Sequence, residues 1–272
     1  MKKRATTILL VLIFTVGLLV MLYPVLSNFY NSFRQSGVGK AYKGHVQELE
    51  NNDYTNILEN AREYNEKLLK KLDRYTMTDE ERLEYESQLR IGDSEVMGFI
   101  EIPVIGVSLP IYHGVDEGVL QIGVGHLEGT SLPVGGESTH AALTGHTGLP
   151  SAKMLSDLTK VKEGDNFVIK ILDEMYTYEV DQILIVKPEE VNSLEIVEGK
   201  DYATLVTCTP YAVNTHRLLI RGFRVANILS ESSEGVELVL PIGTTAVLLV
   251  CTTIIFSVYK RKKKQAKELR GT

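Results

Sequence analysis

Two long apolar runs bracket the chain, and between them the hydrophobic period changes from helical to strand-like. The first run, ATTILLVLIFTVGLLVMLYPVL, extends from Ala5 to about Leu26. The second, LVLPIGTTAVLLVCTTIIFSVY, spans Leu238–Tyr259. Neither holds a charge, and each is long enough for the roughly 20 helical residues that cross a bilayer. Pro24 and Pro241 stand near the ends, where proline costs a helix least. After the first run, residues 45–72 place Val46, Leu49, Ile57, Leu58, Ala61, Tyr64, Leu68 and Leu69 largely three and four apart, which predicts an amphipathic helix. A shorter helix is expected over Asp79–Ile91, with Thr78 as N-cap and Glu81 three positions on. From Val96 to Arg224 the pattern shortens. Val96–Ile102, Val104–Pro110, Ala141–Thr144, Phe167–Leu172, Tyr176–Val186, Ala203–Thr207 and Arg217–Arg221 read as strands, with a hairpin at Asp173-Glu174. Gly135-Gly136, Gly148-Leu149-Pro150 and Gly164-Asp165 punctuate the gaps. Strands at this spacing predict a mainly β domain, a closed barrel or a sandwich.

The flanking cations orient the chain. Lys2, Lys3 and Arg4 precede the first run; Lys260, Arg261, Lys262, Lys263 and Lys264 follow the second. Cationic flanks stay in the cytoplasm. The expected layout is therefore a cytoplasmic N-terminus and anchor (1–30), a helical region (31–94), a catalytic-size β domain (95–224), a polar linker (225–237), a second transmembrane helix (238–259) and a basic cytoplasmic tail (260–272). Residues from about 30 to 235 lie outside the cell, on a two-pass protein. A cleaved signal peptide is the competing reading of the first run. Its apolar stretch exceeds a signal core and no A-x-A site follows, which favours an uncleaved anchor.

Composition narrows the function. A formal net charge of −6 disfavours nucleic acid as a partner. The chain has two cysteines: Cys251 lies in the second apolar run and Cys208 in the external region. They are not placed to pair. An unpaired external thiol invites oxidation, so its presence suggests a use.

Three clusters carry candidate chemistry. In Thr204-Leu205-Val206-Thr207-Cys208-Thr209-Pro210 an alternating strand ends in a thiol and is stopped by proline. Taken alone, such a cysteine is better explained as a small core residue. In Leu143-Thr144-Gly145-His146-Thr147-Gly148 a histidine follows a short strand, and histidine is the usual acid–base partner of a cysteine nucleophile. His113, His126, His140 and His216 are rivals. No H-E-x-x-H or C-x-x-C accompanies them, so zinc has little support. In Asn214-Thr215-His216-Arg217-Leu218-Leu219-Ile220-Arg221, residues 217, 219 and 221 share one strand face, and a guanidinium there could steady an oxyanion. A solvated arginine is the plainer alternative. Gly123-Val124-Gly125 lacks the spacing of a phosphate loop.

Together these residues resemble the sortases. Thr204–Cys208 matches the family's T-L-x-T-C box, and His146 and Arg217 complete its His–Cys–Arg set. Gly98–Pro103, Leu109–Gly114, Gly123–Pro133 and Thr207–Arg217 resemble the class C, pilus-building branch, as does the second anchor. The resemblance implies an eight-stranded β-barrel. It implies that Cys208 is the nucleophile and forms an acyl-thioester, that His146 is the general acid/base, and that Arg217 supports the oxyanion or substrate carbonyl. The implied substrate is an LPxTG-type sorting signal, cut between Thr and Gly and passed to a lysine amine of another pilin, with no metal or organic cofactor. Peptidoglycan anchoring is the alternative within the family; a non-enzymatic adhesion module is the alternative outside it. Class C members carry an Asp-Pro-aromatic lid before the barrel. Here the matching stretch is Asp73-Arg74-Tyr75, which lacks the proline and its fixed φ. Asp73 and Tyr75 are thus a possible degenerate lid, with weak or absent autoinhibition expected.

Overall fold

The computed structural model describes residues 2–149 and 152–227. The expected second transmembrane helix and basic tail, and most of the linker, lie outside the described residues. Among the described residues, four α-helices and eight strands follow in order: α1 (Lys2–Glu48), α2 (Asn51–Leu69), α3 (Asp79–Ser87), β1 (Val96–Ile102), β2 (Val107–His113), α4 (Glu117–Leu120), β3 (Val124–His126), β4 (Thr139–Thr144), β5 (Asn166–Ile171), β6 (Glu174–Val186), β7 (Asp201–Thr209) and β8 (His216–Val225).

The strands close into a barrel in the order β1-β2-β3-β4-β7-β8-β6-β5. The pairs β2–β3 and β4–β7 are parallel and the rest antiparallel. This alternation collects the C-terminal ends of β1, β4, β6 and β7 with the N-terminal ends of β2, β3, β5 and β8 at one rim. Inward positions are fully buried and apolar, among them Ile100, Ile102, Ile111, Leu143, Phe167, Ile169, Leu205 and Ile220. A barrel interior of this size is filled by side chains, and burial of each large apolar group stabilises by about 1.5–3 kcal/mol. The seven expected strands are present with ends shifted by at most four residues, and an eighth, β3, joins them. Pro103–Ile105 forms a 3-10 turn, so the second strand starts at Val107. The three-residue β3 was too short to show a period.

The helices cover the outside of the barrel. The expected helix 45–72 is divided. α1 runs unbroken from the apolar run through Glu48, and α2 begins at Asn51. Asn51, Asn52 and Asp53 suit a helix start, because their side chains compete with the backbone in a helix interior. The stretch 27–44 carries serines and glycines of low helix propensity, and barrel contacts hold it instead. Gly39 lies against Phe99. The Tyr42 hydroxyl donates to the Met97 carbonyl (2.9 Å) and accepts from the Leu172 amide (3.0 Å). On α2 the buried Asn65 clamps Leu132 with two hydrogen bonds, at 2.7 and 3.0 Å. The capping box expected at Thr78 and Glu81 is present and starts α3. α3 ends at Ser87 rather than Ile91.

Candidate active site

Cys208, His146 and Arg217 converge at the rim because of strand register. Parallel pairing sets Thr144 of β4 opposite Val206 of β7, so His146 and Cys208 each emerge two residues later from neighbouring strands. Antiparallel pairing sets Cys208 directly opposite Arg217 of β8. Two bonds fix the junction. The Gly145 amide donates to the Val206 carbonyl (3.0 Å), and the Thr207 hydroxyl donates to the Gly145 carbonyl (2.8 Å). A Cβ at Gly145 would stand 2.7 Å from a Leu155 methyl, so the close approach requires glycine.

The three side chains are half-buried. The thiol of Cys208 is free. Among the described residues no hydrogen bond joins it to the imidazole or the guanidinium. An open arrangement of this kind commonly tightens once substrate is bound. His146 Nε2 lies 3.3 Å from both oxygens of Glu117 on α4. Hydrogen bonds from Gln121 and from His146 hold the Glu117 carboxyl below its ordinary range. The ring nitrogen therefore donates to a carboxylate, which orients the imidazole. Sequence reasoning missed Glu117: it lies 29 positions from His146, in a four-residue helix with no pattern of its own. Arg217 Nη1 donates to the carbonyls of Asn214 (3.3 Å) and His216 (3.2 Å), with no carboxylate partner among the described residues.

The rival histidines have other work. His126 is fully buried between the Tyr85 hydroxyl (2.9 Å) and the Ser131 carbonyl (2.8 Å), and burial pushes its pKa down to about 4. His113 bonds the Gln88 carbonyl, and burial lowers its pKa too. His140 donates from Nδ1 to the Glu195 carbonyl (2.8 Å) and accepts at Nε2 from the Thr204 hydroxyl (2.7 Å). Burial lowers its pKa as well. His216 bonds its neighbour Thr215.

Below the thiol, the outer face of β4, β7 and β8 carries a second apolar cluster separate from the interior. Ala142, Val206, Leu219 and Leu194 are buried there, with Leu127, Leu184 and Val186 beside them. Leu194 comes from the loop between β6 and β7. The next residue, Glu195, is tied twice: its carbonyl to His140 and its carboxylate to Arg74 Nη2 at 2.7 Å.

That second bond locates the possible lid. Arg74 is buried, and its guanidinium lies 5.4 Å from the Tyr75 ring centre. Tyr75 packs over Gly129, where a Cβ would stand 2.8 Å from the ring. Asp73 is exposed. Among the described residues neither Asp73 nor Tyr75 bonds to Cys208, His146 or Arg217.

Comparison with known proteins meets this geometry. A model of the sortase domain matches residues 100–225. The crystal structure of sortase C1 from Streptococcus agalactiae is 54% identical and superposes with a TM-score of 0.68 over 70% of this chain and 98% of that one. The chain belongs to the sortase family. Its structural neighbours are class C sortases. A further one, sortase C1 of GBS Pilus Island 1, is 41% identical with a TM-score of 0.66, over 74% of this chain and 96% of that one. Sortase A of S. agalactiae serotype III (strain NEM316) is 34% identical over 140 residues, which are 50% of this chain and 56% of that protein. The sortase match thus covers the barrel from within β1 to the end of β8.

Proposed function

We propose that this chain is a membrane-anchored cysteine transpeptidase that joins an LPxTG-type sorting signal to a pilin lysine. The observation that carries the reading is the unpaired, half-buried thiol at the end of β7, with His146 and Arg217 on the two neighbouring strands of the same rim. The Cys208 thiolate attacks the Thr carbonyl carbon, and a tetrahedral oxyanion forms. Arg217 faces that developing charge across the strand pair, with no carboxylate partner among the described residues, which suits an oxyanion donor. Collapse breaks the Thr–Gly bond; His146 gives its proton to the leaving glycine amine and leaves a thioester on Cys208. A lysine amine then attacks the thioester, His146 takes the amine's proton, and an isopeptide bond forms as the thiolate departs. With Nε2 held by Glu117, Nδ1 is the nitrogen that handles the proton.

The N-terminal run of α1 is apolar, unburied from Leu9 onward and long enough to cross a membrane. In our reading it anchors the enzyme with its barrel outside the cell and both termini in the cytoplasm; the second run, 238–259, returns the chain. The class C likeness favours a pilin amine over peptidoglycan as acceptor. The test incubates the full chain in detergent with a pilin bearing a C-terminal LPxTG signal. High-mass ladders that resist boiling in SDS are expected. Cleaved monomer alone, or transfer to a peptidoglycan amine in place of ladders, overturns the pilin assignment.

A further inference from the structure

The course of α1 along the barrel fixes which end of the enzyme meets the bilayer. Just after the apolar run, Asn28 Oδ1 accepts from the Lys153 amide at 2.9 Å. Further on, the Gln35 side chain meets the Met154 sulfur at 3.9 Å, Gly39 lies on Phe99, and Tyr42 bonds Met97 and Leu172. Lys153 belongs to the loop between β4 and β5, at the catalytic rim, and its ammonium also bonds the Ile105 carbonyl beyond the end of β1. Met97 and Leu172 mark the opposite rim. The helix therefore enters the barrel at the catalytic rim and leaves it at the far rim.

The distances are short. Asn28 lies two residues past Leu26, about 3 Å along the helix. Each headgroup layer is about 5–8 Å deep. Lys153 thus stands at headgroup depth, and its loop also carries His146, whose carbonyl accepts from the Leu155 amide. The loop that joins Cys208 to Arg217 lies beside it: a Cβ at Gly148 would stand 3.0 Å from the Tyr211 ring. On that loop Tyr211 and Val213 are 67% and 63% exposed. Residues 209–215 carry no Asp, Glu, Lys or Arg. An uncharged loop with an exposed tyrosine is what a membrane–water interface accepts.

We infer that the catalytic rim rests on the outer leaflet through Tyr211 and Val213. This rests on the reading of α1 as a membrane span. Docking there holds Cys208 close to the bilayer surface, where a membrane-embedded substrate presents the segment just outside its own span. It also explains two large apolar side chains in the open beside the site, which the reaction itself does not require.

The chain contains no tryptophan, so one introduced indole is an unambiguous probe. Full-length Leu12→Trp, Tyr211→Trp and Phe223→Trp variants are reconstituted in phosphatidylcholine vesicles brominated on the acyl chain near the glycerol. Position 12 reports the span, and position 223 reports the far end of β8. Quenching at 12 and 211 but not at 223 is the expected result. Quenching at 12 with none at 211 overturns the docking and leaves the anchor standing; no quenching at 12 overturns both. In a second arm, Tyr211→Ser with Val213→Ser slows processing of a bilayer-embedded substrate several-fold and leaves cleavage of a soluble sorting peptide unchanged. Equal loss on both substrates overturns the docking and assigns the loop to peptide or protein contact.

Discussion

The same three strands carry two sets of similar residues, and only one set has free valences. Toward the far end, β4 holds His140, β7 holds Thr204 and β8 holds Arg221. At the rim they hold or lead to His146, Cys208 and Arg217. The lower set is saturated. His140 uses both ring nitrogens, Thr204 bonds His140, and Arg221 makes two bonds to Asp181 at 2.8 and 3.0 Å and lies 4.3 Å from the centre of the Tyr202 ring. The upper set is half-open: a free thiol, an imidazole held on one side, and a guanidinium with carbonyl partners alone. Saturated groups hold the barrel and its β6–β7 loop; in the proposed function the unsaturated ones meet a reacting carbonyl. A histidine, a hydroxyl or thiol and an arginine on adjacent strands therefore do not define a site. Their unspent bonds do.

Exchanging the two arginines tests this most strongly. Arg217→Ala should lower kcat by about 10²–10³-fold with an unchanged melting temperature, as for loss of one oxyanion donor. Arg221→Ala should do the reverse, costing about 1–3 kcal/mol of stability in urea titration with kcat near that of the parent. Equal activity losses from both would erase the distinction. A smaller effect concerns the buried histidines. His126 has its pKa depressed to about 4 from an ordinary 6.5. Between those values the unfolded chain takes up a proton that the fold refuses, so stability falls as pH drops from about 6.5 to 4, by about 3 kcal/mol. His126→Gln should flatten that slope in denaturation measured across the range; an unchanged slope would assign it to other groups. The smallest effect concerns the segment before α3. Asp73→Ala with Tyr75→Ala should leave the rate of Cys208 alkylation by iodoacetamide unchanged, and a large increase would restore a working lid.

Much of this was legible in the sequence. Alternation located seven of the eight strands, and the capping residues Thr78 and Glu81 started α3 as expected. Residues 204–208 and 217 stood out only through their resemblance to a family motif, because a strand that ends in a thiol and a strand that begins with an arginine each have plainer explanations. Long-range pairing was not legible. Nothing near Glu117 points to His146, and nothing near Arg74 points to Glu195, 121 positions away. The unbroken α1 was hidden as well, since contacts with Phe99 and Met97 override the poor helix propensity of residues 27–44. The segment at 73–75 shows the limit of matching a motif: the buried residue is Arg74, where a proline was expected, and it fastens the segment to the β6–β7 loop.

The central claim is that the rim thiol forms the covalent intermediate. Intact-mass and peptide mapping of the full chain, after incubation with an LPxTG peptide and no added amine, tests it directly. The expected result is an added mass equal to the acyl fragment ending in threonine, on the peptide that contains Cys208. No cleavage is expected from Cys208→Ala, which should melt like the parent because the thiol bonds to nothing in the described fold. Cleavage that persists in Cys208→Ala, or an acyl mass on another residue, would contradict the claim.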